Sequence, residues 1–534
     1  MPSLDATPKA QAPSLTHSVD HSENSLDGLA NRLSETLERR KYVVLVVFSM
    51  AYFGVTIFLA NRKLFWFDEL FTVYLCRLPD MKLVWKALLS GVDFNPPLFY
   101  LLTRASEHLF GEGHIADRLP AIVGFWVFCL CLFRFVSVRL PLLSAFVSML
   151  FPLVTGAYWY AYEARPHGIV LGFCGLALIS WQGAADCKVR RRWWLVALGG
   201  SLSCALLTHS YGFLVFVPIF VGELSRSLNR KRLDWPIWFA IAASSLAVLA
   251  SVPFVHRVLS EVGFAATLRK VLFLYAEFLT PAVSVIIGSF LLSSLVRKTR
   301  DPKNVSGFQH YEVMTLWAFV AIPIFEYLAA KSTGAPYFSR YGITTVAGFA
   351  GFFGAAVSRK ATVAMGTLVL LLWQIVLTFF GFASDSVLRE PSSGYAISTR
   401  MSQFNQRYTA MEASENENLP ILQIDDLDFV PTAYYAPPTM ASRLVYIEWT
   451  DEGVTAQQWF DRLRSCCDVT TKAFGLEQFL ASHDTFLVYG RPASAYRLTK
   501  LIDKGAIVLE KKDLGDHFLL LMKYRQGTRK GAHP

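Results

Sequence analysis

A chain of 534 residues that is 53% hydrophobic and only 17% charged departs from a soluble domain, which carries roughly 25% charge. Its net charge of +10 sits in short basic clusters between long apolar runs, the arrangement of a membrane protein oriented against an anionic leaflet and not of a nucleic-acid binder. Eight cysteines without a C-x-x-C pair or a His/Cys ligand spacing give a structural zinc site no support.

Residues 1–38 are rich in Ser, Asp, Glu, His and Asn and poor in large apolar side chains, which predicts a disordered cytoplasmic tail. Tyr42–Ala60 follows, nineteen residues without a charge behind Arg39-Arg40-Lys41, and the positive-inside rule leaves the N-terminus in the cytoplasm. Further apolar runs at 119–137, 141–160, 166–183, 193–210, 211–224, 235–255, 271–296, 313–330, 340–358 and 361–383 predict about eleven transmembrane helices within residues 39–383. This threading puts Arg134 and Arg139, the stretches 188–192, 225–233 and 297–303, and Arg359-Lys360 all on the inner side. The expectation is an all-α multi-pass protein of a bacterial inner membrane. An odd number of spans leaves residues 384–534 in the periplasm, where short β-like runs (421–424, 444–447, 485–489, 518–522) alternate with helical patterns (456–464, 475–482, 494–503) and predict a small α/β domain.

The first periplasmic loop, 61–118, holds the most distinctive residues. Asp68 and Glu69 stand side by side behind Phe65-Trp66-Phe67, and two carboxylates at the mouth of a span are costly unless they have partners or a task. Met81, Val84, Trp85, Leu88 and Leu89 form one apolar stripe, with Pro79 and Asp80 suited to a first turn and Gly91 to a stop, so a short interfacial helix is predicted there. A second short helix is predicted over 97–110, opened by Asn95-Pro96-Pro97 and closed by Gly111. The loop ends on Asp117-Arg118-Leu119-Pro120. The same threading puts Glu163, Arg165 and His167, then His209 and Tyr211, then Lys331 and Arg340, on the same outer face. A lone charge there reads as a solvated or snorkelling side chain, and for Lys331 and His209 that reading is preferred. The set together suits the meeting of an anionic lipid phosphate with a neutral hydroxyl.

In order, Phe67-Asp68-Glu69, an interfacial helix, Asn95-Pro96-Pro97-Leu98-Phe99-Tyr100, a helix ending in Leu109-Phe110-Gly111, and Asp117-Arg118-Leu119-Pro120 resemble the first outer loop of the GT-C membrane glycosyltransferases. The likeness is to the branch of the protein O-mannosyltransferases, the aminoarabinose transferases and the bacterial RgtA/B/C/D-like proteins. It extends to Tyr162-Glu163-Ala164-Arg165-Pro166-His167 and to Ser339-Arg340-Tyr341, covering residues 40–360. The resemblance implies inverting transfer of a sugar from a polyprenyl-phosphate donor to a hydroxyl of a glycan, lipid or protein acceptor. A hydroxyl is a weak nucleophile and needs a carboxylate to take its proton, the role expected of Asp68, with Glu69 as backup or positioning group. Arginine forks suit a leaving phosphate, a role expected of Arg118, Arg165 and Arg340, joined by Lys331. Glu163, His167, Tyr162 and Tyr341 are expected to position substrate, with the alternative for Glu163 and His167 that they orient Arg165. Some relatives with this architecture use a divalent metal, but the Asp68-Glu69 pair does not demand one, and no obligatory cofactor is expected. The competing reading is a lipid or glycolipid transporter or flippase; against it, the distinctive charges gather at one face and no internal repeat is evident.

Overall fold

In a computed structural model, residues 16–253, 267–296, 307–334, 337–383, 408–409, 411–412, 418–449, 456–467, 472–514 and 517–524 are described. Residues 1–15, the basic stretch 297–303 and the expected domain boundary at 383/384 with the residues that follow it to 407 lie outside them. The first helix, Thr16–Arg62, kinks at Arg40, where φ is −113° and ψ 19°. Residues 16–38 are therefore helical and not the disordered tail expected. Ala30, Leu33 and Leu37 recur at helical spacing; Ala30 is buried, and Leu33 and Leu37 pack with the helical core, an apolar face that the polar average of the segment conceals.

Among the described residues, seven helices are long and apolar enough to cross a membrane: Leu26–Arg62, His114–Ser137, His167–Asp186, Ser210–Arg230, Trp235–Pro253, Leu268–Leu295 and Ala361–Phe380. Two bent pairs, Leu142–Val154 with Gly156–Tyr162 and His310–Val320 with Ile322–Thr333, raise the number to nine among the described residues, against the eleven expected. The two remaining predicted spans are helical. Arg191–Thr208 opens on two arginines, and Thr345–Val357 has only 13 residues.

The crossing of His114–Ser137 with His167–Asp186 positions the site. A Cβ on Gly124 would lie 2.5 Å from the Gly168 carbonyl oxygen, and one on Gly172 would lie 2.7 Å from that of Gly124, so only glycine lets the two backbones touch. This brings the start of one helix, with Arg118, beside the residues that precede the other, Glu163-Ala164-Arg165.

The loop between the first two spans folds as its punctuation predicts. Asp80 caps the helix Met81–Leu89, accepting from the Leu83 N–H at 2.8 Å, and Gly91 takes a φ of 84° that favours glycine. Val84, Ala87 and Leu88 turn inward, while Trp85 and Leu89 stay exposed. The second helix runs Leu98–Phe110 and stops at Gly111, with φ of 81°.

The C-terminal region is a six-stranded sheet in the order β3-β2-β1-β4-β6-β5. β1 (Ile421–Gln423), β2 (Leu444–Glu448), β3 (Lys472–Gly475) and β4 (Thr485–Gly490) are parallel, and β6 (Phe518–Tyr524) runs antiparallel between β4 and β5 (Ala506–Asp513). The helix Asp426–Tyr435 docks this domain on the loop. Tyr435 Oη accepts from the Phe65 N–H at 2.8 Å, Tyr434 Oη accepts from Arg77 at 3.0 Å, and Arg462 donates to the Gly91 carbonyl at 3.1 Å.

Candidate active site

Four carboxylate–cation pairs converge where the first loop meets residues 163–167 and 339–342. They differ in how far they are closed, and that difference separates scaffold from chemistry.

Glu69 and Arg118 are both fully buried. Arg118 Nε donates to Glu69 Oε1 at 2.8 Å and Nη2 to Oε2 at 2.9 Å, and the remaining donors go to the carbonyls of Ala60, Lys63 (2.6 Å) and Leu64 (3.0 Å). Glu69 also accepts from the N–H groups of Ala164 at 2.7 Å and Trp66 at 3.3 Å. Burial alone would raise the Glu69 carboxyl, but the charges of Arg118 and Lys63 outweigh it and hold the group down at about 2. Arg118 has no donor left for a phosphate, and Glu69 no lone pair facing substrate. The pair is a rivet joining the end of the first span to the second span and to Ala164.

Lys63 lies over the Trp159 ring and donates to Glu163 Oε1 at 2.8 Å, with both side chains at 3% exposure or less. Burial keeps the Glu163 carboxyl above its ordinary range, only partly offset by Lys63, and its Oε2 has no hydrogen-bond partner. Tyr162 packs edge-on to Tyr158 beneath Lys63.

Arg165 bonds Asp93 through Nη1 at 2.7 Å and Nη2 at 3.4 Å, and its Nη1 also reaches the Asp68 carbonyl at 3.1 Å. Asp93 is held in turn by the Phe94 N–H (2.7 Å), Asn95 (3.2 Å) and the Tyr100 hydroxyl (2.7 Å). Burial works against its charge, and Arg165 with these donors still brings the carboxyl below its usual range.

Asp68 and Arg340 form the remaining pair, Oδ2 to Nη2 at 3.0 Å, and it alone of the four keeps both side chains open, at 17% and 16%. The guanidinium sits among the rings of Trp66, Phe338 and Tyr341 at 4.8–5.9 Å. Tyr341 stacks on Tyr211 with centroids 4.3 Å apart, and His167 and His209 flank it at 6.3 and 5.0 Å. Burial, then the positive charges of Arg165 and Arg340, push His209 down to about 3. It is neutral, and because its Nδ1 accepts from the Tyr211 N–H, its proton sits on Nε2.

Of the expected site residues, Asp68, Arg165, Arg340, Tyr341, His167, Glu163 and Tyr162 are brought together. Lys331 is exposed and lies over the Tyr327 ring. Lys63 and Asp93 were not singled out by sequence; the available signals were a lysine between the first span and Phe65-Trp66-Phe67, and an aspartate two residues before Asn95-Pro96-Pro97. Among the described residues no three His, Cys, Asp or Glu side chains gather as metal ligands, and the four carboxylates already face cations. This set does not fit a resident divalent ion.

No protein-family model and no curated protein matches this chain. Solved structures do. ArnT from Cupriavidus metallidurans in the apo state aligns over 91% of this chain and 98% of its own, at TM-score 0.56 and 11% identity. The same protein bound to undecaprenyl phosphate aligns over 90% and 98%, at TM-score 0.52 and 12% identity. The chain has the GT-C fold. Identity this low speaks for fold alone, and the resemblance read from the first loop holds at that level. Within the GT-C fold found here, a multi-pass helical body carries a mixed α/β domain, and the four ion pairs lie where the first loop meets the helical body.

Proposed function

We propose that this chain is an integral-membrane glycosyltransferase that moves a sugar from a polyprenyl-phosphate donor to an acceptor hydroxyl, with inversion at C1. The observation that carries this reading is the open Asp68–Arg340 pair, set among three closed ones. Undecaprenyl phosphate bound to the C. metallidurans ArnT supports a lipid-phosphate donor. The basic stretches 188–192 and 225–233 end helices whose other ends carry His167 and Tyr211, so the positive-inside rule favours an outer-face site in a bacterial inner membrane.

In the reaction, Asp68 takes the proton of the acceptor hydroxyl as its oxygen attacks C1. The bond from C1 to the phosphate oxygen breaks, its electron pair stays on the phosphate, and Arg340 meets the growing charge. Arg165, fixed by Asp93, holds the Asp68 backbone in place and adds positive field. The neutral His209 offers an Nε2–H to a sugar hydroxyl or phosphate oxygen, and Tyr341 and His167 border the same space.

Mass spectrometry of envelope glycans from cells with and without the protein tests this reading. The expected result is loss of one sugar residue from one class of extracytoplasmic glycan, glycolipid or glycoprotein. Unchanged glycans, with a polyprenyl-phospho-sugar redistributed across the membrane, would instead identify a translocator.

A further inference from the structure

Arg165 and Arg340 flank Asp68, yet they are held very differently. Arg165 is locked by two bonds to Asp93, which is itself fixed by three further donors. Arg340 has one ion-pair contact, a single nitrogen on a single oxygen at 3.0 Å, inside a ring of aromatic faces. Those rings can keep the guanidinium in place whichever anion it faces. Asp68 Oδ2 has no other partner.

With Asp68 and Arg340 in direct contact, the arrangement is not the one that reacts. In an inverting displacement the leaving phosphate oxygen, C1 and the attacking oxygen lie in line, with Arg340 beyond one end and Asp68 beyond the other. Two hydrogen bonds of about 2.8 Å plus the reacting atoms between them need a gap of roughly 8 Å along that line. At 3.0 Å none of these atoms fits between Arg340 Nη2 and Asp68 Oδ2.

We propose that the donor phosphate and the Asp68 carboxylate compete for Arg340, so that the general base is masked in the empty enzyme and released only when donor binds. A phosphate presents several oxygens to the guanidinium fork where Asp68 presents one, and this drives the exchange. The released carboxylate is then free to take the proton of an acceptor hydroxyl as it attacks C1. The arrangement makes donor binding precede base activation. It rests on the reading of the site as one for polyprenyl phosphate.

The test is equilibrium binding of undecaprenyl phosphate to the full-length protein in lipid nanodiscs, which needs no turnover. Asp68→Asn removes the competitor and is expected to bind about fivefold tighter than wild type, the scale of one part-exposed ion pair. Asp68→Ala does the same if the asparagine amide still reaches Arg340. In an Arg340→Gln background the gain disappears, because there is nothing left to compete for. A gain that persists in that background is a general charge effect and overturns the exchange. Equal or weaker binding by both Asp68 variants, with wild-type binding intact, also overturns it. Failure of the wild type to bind undecaprenyl phosphate at all removes the reading of the site on which the exchange rests.

Discussion

Asp68→Asn lowers sugar transfer by about three orders of magnitude, while the protein still inserts, folds and binds polyprenyl phosphate. The size follows from what the carboxylate does. An alcohol oxygen keeps its proton at neutral pH, and attack on C1 without a base leaves a protonated oxonium in the transition state. Asparagine has nearly the same shape and can accept a hydrogen bond, but it cannot take the proton. Its fold cost is small because Asp68 is part-exposed and forms a single ion pair among the described residues, to Arg340. Radiolabelled transfer in proteoliposomes, read alongside donor binding, checks this. Activity within tenfold of wild type would move the base elsewhere, with Glu163, whose Oε2 lacks a partner, the next residue to examine.

Glu69→Gln and Arg118→Gln act on the other limb, the fold. Each leaves a buried charge without its partner, a loss of about 3–5 kcal/mol and enough to deplete the folded protein from the membrane. Glu69→Met with Arg118→Met in one protein is expected to be less damaging than either single variant with glutamine, since no charge is left stranded. Thermal unfolding of the solubilised proteins reads all three. Full stability of Glu69→Gln, with activity alone lost, would return Glu69 to the chemistry. The pair also sets an acid limit. The Glu69 carboxyl titrates at about 2 in the folded protein against an ordinary 4.5, so its stabilisation is complete above pH 4.5 and fades as pH falls from there toward 2.

The loop helices were legible because their signals are local. Asp80, Gly91, Asn95-Pro96-Pro97 and Gly111 mark starts and stops within a few residues, and helices appear between them. In the C-terminal domain the buried strands β1, β2, β4 and β6 fall on the apolar runs. The edge strands β3 and β5 do not, because β5 is exposed along nearly its whole length and carries Lys511 and Lys512. Which charge pairs with which was not legible. Asp68 and Glu69 are neighbours in sequence, but successive helical positions point about 100° apart, so one carboxylate enters the Arg118 rivet and the other faces Arg340. Arg118 stood first among the phosphate-binding residues on sequence grounds, yet the backbone carbonyls of residues 60, 63 and 64 take its donors. Carbonyl directions are a product of the folded chain, and side-chain identities do not announce them.

The decisive measurement gives the purified protein an undecaprenyl-phospho-sugar labelled at C1, with envelope lipids and glycans as acceptor, and follows the anomeric carbon by NMR. The expected result is a new glycosidic bond whose C1 configuration is opposite to that of the donor, with one undecaprenyl phosphate released for each bond made and both products formed about a thousandfold more slowly by Asp68→Asn. Retained configuration would contradict a single in-line displacement with Asp68 as the base. Donor that crosses the bilayer unconsumed would contradict the transferase itself.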